Sequence, residues 1–246
     1  MMKKLTKNLS IWGMLGILGF LGISGCAKDD YYKDGGLAKA EFDGTILEYL
    51  DSKPVLFDSV AAIIRAAEME EFFNTEEFTF FAPSDRDIKD LIGSKDKGGL
   101  NRRLYDNKQD TIKTFTDVDP SIWQRYLYRY MFRGKNKLAD YPQIDFGLLS
   151  LFGGQNYRSM AGDIFKIGVV FNDAVGSGSN LKYMGYRQLH VGLIGDPSRP
   201  DNFDPVPVST SDIQPTNGVI HVLDYTRVSF GFDQNQVMND IIESKR

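Results

Sequence analysis

Apolar residues recur at three- and four-residue spacing between Thr45 and Phe73, a pattern typical of helices that bury one face. The spacing predicts two amphipathic helices, and Pro54 lies in the first turn of the second, where a missing N–H group is tolerated. The positions that carry the pattern are Ile46, Leu47, Leu50, Phe57, Val60, Ile63, Ile64 and Ala67. We therefore expect the folded part of the chain to begin with helices.

The next apolar run has a different composition. Phe78–Ala82 consists mainly of aromatic and β-branched residues, which predicts a buried strand that ends at Pro83. Ser84 and Asp87 have the spacing of a capping box, in which each side chain satisfies a backbone N–H group of the other residue. A helix that extends to Ile92 is therefore expected after the strand.

Residues 93–119 are polar and charged and contain the pair Gly98-Gly99, which predicts an insertion of loop or irregular structure. Asp119 and Pro120 are a suitable N-cap and first residue for a helix. Residues 128–132 are expected to continue from that helix into a strand.

The second half of the chain has the composition of strands. They are predicted at Ile164–Phe171, Leu181–Tyr186, Leu189–Ile194 and Gly218–Phe230. The pair Asn217-Gly218 favours a hairpin turn before the last of them. Helices that come first and strands that come last indicate an α+β domain.

The amino terminus has the layout of a signal peptide, with three lysines followed by the mostly apolar run from Ile11 to Ile23. A run of this length is shorter than the roughly 20 residues that a membrane-spanning helix needs. The segment Ile23-Ser24-Gly25-Cys26 resembles the lipobox of bacterial lipoproteins. That resemblance implies cleavage after residue 25 and attachment of lipid to Cys26, whereas an ordinary secreted protein with an unpaired cysteine is the alternative.

Residues 26–43 are predicted to be a polar tether between the lipid and the domain. Within it, Lys28-Asp29-Asp30 resembles an export signal of some Gram-negative lipoproteins. The resemblance implies an outer-membrane lipoprotein exposed at the cell surface, with the periplasmic face as the alternative.

Composition excludes several classes of function. Removal of residues 1–25 takes away three lysines and no acids, so the mature chain has a formal charge of −7, which disfavours nucleic acid as a partner. Cys26 is the only cysteine and there are only two histidines, so neither an internal disulfide nor a zinc site is expected. With 42% hydrophobic residues, the chain can bury a core.

Two segments resemble the signatures of fasciclin-like (FAS1) domains: FTFFAPSDRDI at residues 78–88 and DIQPTNGVIHVLDYTRV at residues 212–228. Residues 126–135 take the place of the family's central segment, although Tyr130-Met131 replaces its frequent Tyr-His pair. The resemblance implies a single α+β domain at residues 44–231, with helices packed on a wedge-shaped β-sandwich, a polar insertion at about 93–119, and a tail at 232–246. Because the central pair differs, adhesion motifs of animal members cannot be transferred.

Candidate chemistry is sparse. The chain has no nucleophile elbow, phosphate loop, dinucleotide fingerprint or calcium loop, so we expect no enzyme activity, no cofactor and no metal. His221 lies within the second signature on a predicted strand, where a packed structural role is favoured over catalysis. His190 has no serine or carboxylate at a diagnostic spacing.

One aromatic series is a candidate surface for a ligand or partner, because aromatic and arginine side chains are enriched at interfaces. It consists of Trp123, Tyr126, Tyr128 and Tyr130 with the neighbouring Arg125 and Arg129. The same spacing also suits rings that fill the core, which is the alternative interpretation.

The sequence therefore predicts a membrane-anchored surface lipoprotein that acts as a non-enzymatic adhesion or binding module for a protein or a glycan. The alternative is an accessory subunit of an outer-membrane assembly such as a nutrient-import complex. In that case the insertion at 93–119 would be the docking element.

Overall fold

A computed structural model describes residues 39–176, 179–224 and 233–245. The predicted signal peptide, Cys26 and most of the tether lie outside these residues, as do residues 225–228 of the second signature and residues 229–230 of the last predicted strand. Within the described ranges, no helix combines the length and the apolar character needed to cross a bilayer.

The amino-terminal part forms three helices, α1 (Ile46–Ser52), α2 (Pro54–Ala66) and α3 (Glu70–Thr75), where two were predicted. Pro54 is the first residue of α2, as predicted. Helix α2 ends because Glu68 adopts a left-handed backbone conformation with φ of 56°, and α3 then begins in a new direction. Thr45 and Glu48 form a capping box that fixes the start of α1.

The central part places helices between short strands. In chain order these elements are β1 (Phe78–Ala82), α4 (Asp85–Ile92), α5 (Gly99–Asp106), α6 (Pro120–Arg129) and β2 (Met131–Arg133). Ser84 and Asp87 form the predicted capping box of α4, and Asp119 caps α6 as predicted. Short 3-10 helices occupy Phe115–Asp117 and Leu138–Asp140.

The carboxyl-terminal part supplies most of the strands. They are β3 (Gln155–Arg158), β4 (Ile164–Phe171), β5 (Ala174–Val175), β6 (Asn180–Leu181), β7 (Arg187–Leu193), β8 (Val206–Ile213) and β9 (Gly218–Leu223), followed by helix α7 (Gln234–Ser244). The main sheet has the order β2-β1-β9-β8-β7-β4-β3, and β5 pairs with β6 in a separate two-stranded sheet. In the main sheet β1 and β9 are parallel, whereas the other neighbouring strands are antiparallel. The predicted α+β class is confirmed.

The core lies where β1 and β9 meet the helices. Every residue of both strands is buried, so the two signature segments form the centre of the domain. The ring of Phe73 packs edge-on against those of Phe78 and Phe80, with centroids 5.2 and 5.4 Å apart, an arrangement favoured by aromatic quadrupoles. The apolar positions predicted for the first two helices are all buried in the same core.

Three predictions about elements were wrong. Residues 99–106 of the predicted loop insertion form helix α5, because Leu100 and Leu104, four residues apart, both enter the core. Residues 182–186 of the predicted strand 181–186 are not in a strand, since Tyr183 has a φ of 61°. Most of the residues expected to form a tail instead form α7, which buries Val237 and Ile241.

Candidate functional site

The aromatic series of α6 belongs to the core. Trp123, Tyr126 and Tyr130 are all nearly inaccessible to solvent, and Tyr128 is half-buried against Phe72, with ring centroids 5.6 Å apart. These rings therefore do not form the predicted exposed surface. The rings of Trp123, Tyr126 and Tyr130 instead face Val60 and Ile63 of α2 and Ile88 of α4, which is why the packing interpretation applies.

The arginines of the series have structural partners. The guanidinium of Arg125 and the hydroxyl of Tyr126 both donate to Asp240 Oδ2 at 2.8 Å, which ties α6 to α7. Arg129 is buried, donates from Nε to Asp163 at 2.9 Å and stacks on the ring of Tyr126. Burial, with the Asp240 hydrogen bond next in importance, raises the pKa of Tyr126 well above its ordinary value. The series therefore connects α6 to α7 and to Asp163, and it does not form a free surface.

His221 has the structural role predicted for it. Its side chain is fully buried on β9, its Nε2 lies 3.0 Å from the carbonyl oxygen of Asn136, and its Nδ1 lies 3.3 Å from the backbone nitrogen of Asp212. A neutral ring that donates from Nε2 and accepts at Nδ1 satisfies both contacts. Burial lowers the pKa of His221 to about 4, so the ring stays uncharged at neutral pH.

A different part of the molecule exposes apolar side chains. Seven of the ten large hydrophobic residues that are exposed in the described ranges lie in two segments, 145–152 and 174–186. We call these seven the apolar tip: Phe146, Leu148, Leu151, Val175, Leu181, Met184 and Tyr186. Val175 is 87% exposed and Met184 70%, values expected of surface lysines rather than of packed side chains.

The two segments of the tip are held together by Tyr183. Its hydroxyl donates to Asp145 Oδ2 at 2.7 Å, its backbone N–H donates to Asp173 at 2.9 Å, and its ring lies 5.7 Å from that of Phe152. The hydrogen bond from Tyr183, followed by that from the backbone of Gly147, holds the pKa of Asp145 below its ordinary value. The Asp145 carboxylate therefore remains a charged acceptor for Tyr183 at neutral pH.

The base of the tip is also ordered. Gly185 approaches the backbone of residue 173 so closely that a Cβ atom there would lie 2.5 Å from the Asp173 carbonyl oxygen. Arg187 stacks on the ring of Phe171, with its guanidinium carbon 3.6 Å from the ring centroid. The exposed apolar residues thus project from a backbone fixed by polar contacts, which is an arrangement suited to binding.

The side chains of the tip are suited to contact with a partner rather than to catalysis. Its seven defining side chains are aliphatic or aromatic, and exposed patches of this kind mark interaction sites. In the residues that the structure describes, no three histidine, cysteine, aspartate or glutamate side chains are grouped so as to hold a metal ion. Sequence reasoning missed the tip because Leu181, Met184 and Tyr186 were assigned to a predicted strand and no element was predicted at residues 145–152.

Comparison with known proteins gives one family. The model of the fasciclin domain matches residues 56–226. A solved structure of a FAS1 domain pair from the insect cell adhesion molecule Fasciclin I is similar over 79% of this chain, at 17% sequence identity and a TM-score of 0.43. The match spans about half of that structure, 52% of its length. No curated protein is significantly similar in sequence.

Proposed function

Because the match of residues 56–226 shows that the chain belongs to the fasciclin domain family, we propose that it is a membrane-anchored, non-enzymatic module that binds a partner through its apolar tip. The observation that carries the proposal is the concentration of exposed apolar side chains on one preorganised structure. A soluble domain rarely exposes apolar residues together unless they contact another molecule.

The anchoring part of the proposal is supported by the sequence around Cys26. Lipid on this residue would hold the domain near a membrane, with residues 27–38 as a spacer outside the described part of the chain. Incorporation of labelled fatty acid into the full-length chain, and its loss in Cys26→Ala, tests the lipid. Protease treatment of intact cells tests the cell-surface location, because a chain inside the envelope would stay intact.

The binding part can be tested by site-specific cross-linking in cells that naturally make the protein. A photoreactive phenylalanine analogue replaces Met184 in the tip or, as a matched control, Val55 at the exposed start of α2. We expect a discrete adduct from position 184 and none from position 55. Equal yields at the two positions, or no adduct at 184, would contradict binding through the tip.

The adduct also separates the classes of partner. Peptides of a second protein in the digested adduct, identified by mass spectrometry, indicate a protein partner, whereas a loss of adduct mass on periodate treatment indicates a glycan. An integral outer-membrane protein in the adduct would favour the alternative function as an accessory subunit of an import-type assembly. The insertion at 93–119 is a poor docking element for that alternative, because Leu100, Leu104 and Ile112 of this segment are buried in the domain.

A further inference from the structure

A groove of about 330 Å³ lies between helix α4 and residues 112–115. None of its lining residues belongs to the apolar tip. One wall is made by Ile88, Lys89 and Ile92 of α4. The other includes Ile112, Lys113 and Phe115, with Ser59 of α2 also in the lining. The volume is at the lower end of the range for pockets that bind small molecules.

The wall formed by residues 112–115 is fixed by three side chains. The carboxamide of buried Asn101 accepts from the N–H of Ile112 at 2.7 Å and donates to its carbonyl at 2.9 Å, as a neighbouring strand would. The indole N–H of Trp123 donates to the Phe115 carbonyl at 2.8 Å. Asp117 accepts from the N–H groups of Lys113 and Thr114, both at 2.8 Å.

These contacts preorganise the groove. The backbone hydrogen bonds of Thr114 and Lys113 hold the pKa of Asp117 below its ordinary value, so this carboxylate keeps its role at neutral pH. A ligand that enters the groove does not have to order the wall first, which reduces the entropic cost of binding.

The lining of the groove combines apolar side chains with two positively charged lysines. Ile88 and Ile112 are buried in the floor, and Ile92 and Phe115 are half-exposed beside them. Lys89 and Lys113 are exposed at the rim, and in the described part of the chain neither ammonium group takes part in an ion pair. The two lysines therefore place positive charge beside an apolar groove.

We propose that this groove binds an aliphatic carboxylate, with its chain on the isoleucine floor and its carboxylate between the ammonium groups of Lys89 and Lys113. Three of the four apolar lining residues are aliphatic, and the edge of the fourth, Phe115, already packs against Trp123. An ammonium–carboxylate contact is a charge-assisted hydrogen bond, which orients the ligand as well as attracting it.

Calorimetry with decanoate tests the proposal on the full mature chain carrying Cys26→Ser, so that no covalent acyl chain competes. We expect saturable binding, and affinity that rises from hexanoate to octanoate to decanoate by up to about fourfold per methylene group. Uncharged 1-decanol, which keeps the chain and lacks the charge, should bind at least about tenfold more weakly than decanoate.

The variant Lys89→Gln/Lys113→Gln removes the rim charges, and because both side chains are exposed it should fold normally. Its affinity for decanoate should fall to the level of 1-decanol. The variant Lys95→Gln/Lys97→Gln removes the same charge from nearby exposed residues outside the groove and should bind decanoate like the parent. Absence of saturable decanoate binding, equal binding of decanol, or equal loss in the two double variants would overturn the proposal.

Discussion

The centre of the sheet and the apolar tip are both rich in aromatic and aliphatic residues, but only the centre is covered. Strand β1 pairs with β2 on one side and β9 on the other, and its two faces are buried throughout. Among the described residues, strands β5 and β6 pair only with each other, through two residue pairs, and Val175, Leu181 and Met184 remain exposed to solvent.

The apolar residues of the centre and those of the tip therefore have different roles. In the centre, side-chain burial stabilises the fold, and the polar groups there, such as His221, are satisfied by the backbone. In the tip, polar contacts of Asp145, Asp173 and Tyr183 already fix the backbone, so the exposed apolar side chains are not needed to hold it. The partner proposed above would cover these exposed side chains.

The largest effect should come from a cavity in the centre. Phe80→Ala removes a fully buried ring and should lower the free energy of unfolding by about 3–5 kcal/mol. Met184→Ala in the tip should change it by less than about 0.5 kcal/mol. Urea denaturation of both variants measures the contrast, and similar losses would show that the tip is part of the core.

The next largest effect should appear when the free energy of unfolding is measured as a function of pH. The folded pKa of His221 is about 4, below its unfolded value, so the unfolded state takes up a proton first as the pH falls. Its contribution is fully present above pH 6.5 and is lost toward pH 4, by a total on the order of 3 kcal/mol. His221→Gln should flatten this slope. A slope that survives in His221→Gln would assign it to other groups.

Substitution of two tyrosines should give a smaller difference in the free energy of unfolding. Tyr126→Phe removes a hydrogen bond to Asp240 and should lower the free energy of unfolding by about 0.5–1.5 kcal/mol. Tyr186→Phe, on an exposed ring of the tip, should have no measurable effect. Thermal unfolding of the pair checks whether the α6 series belongs to the core, and an unaffected Tyr126→Phe would argue that it does not.

Local sequence signals predicted the parts of the fold that depend on few residues. Phe78–Ala82 and the pair Ser84 and Asp87 were identified because a strand end and a capping box are encoded within a few positions. Strand β8 was not predicted, since it contains Pro207 and a polar run that becomes a strand only by pairing with β7 and β9.

The candidate sites were harder to predict, because exposure is a property of the folded chain. The rings of α6 and those of the tip have similar composition, and only tertiary packing decides which are covered. Tyr183 shows the reason: its left-handed backbone and its bond to Asp145 turn a predicted strand into the support of an exposed surface. A segment 38 residues away in sequence, at Asp145, was needed to make that turn.

The central claim is that the tip binds and does not stabilise. It is tested most directly by measuring both properties of one variant, Leu151→Ser/Met184→Ser/Tyr186→Ser, against Val55→Ser/Leu56→Ser at the start of α2. We predict that the tip variant melts close to the parent and binds the cross-linked partner at least about tenfold more weakly, while the control binds normally. A folded tip variant that binds with the affinity of the parent would contradict the account.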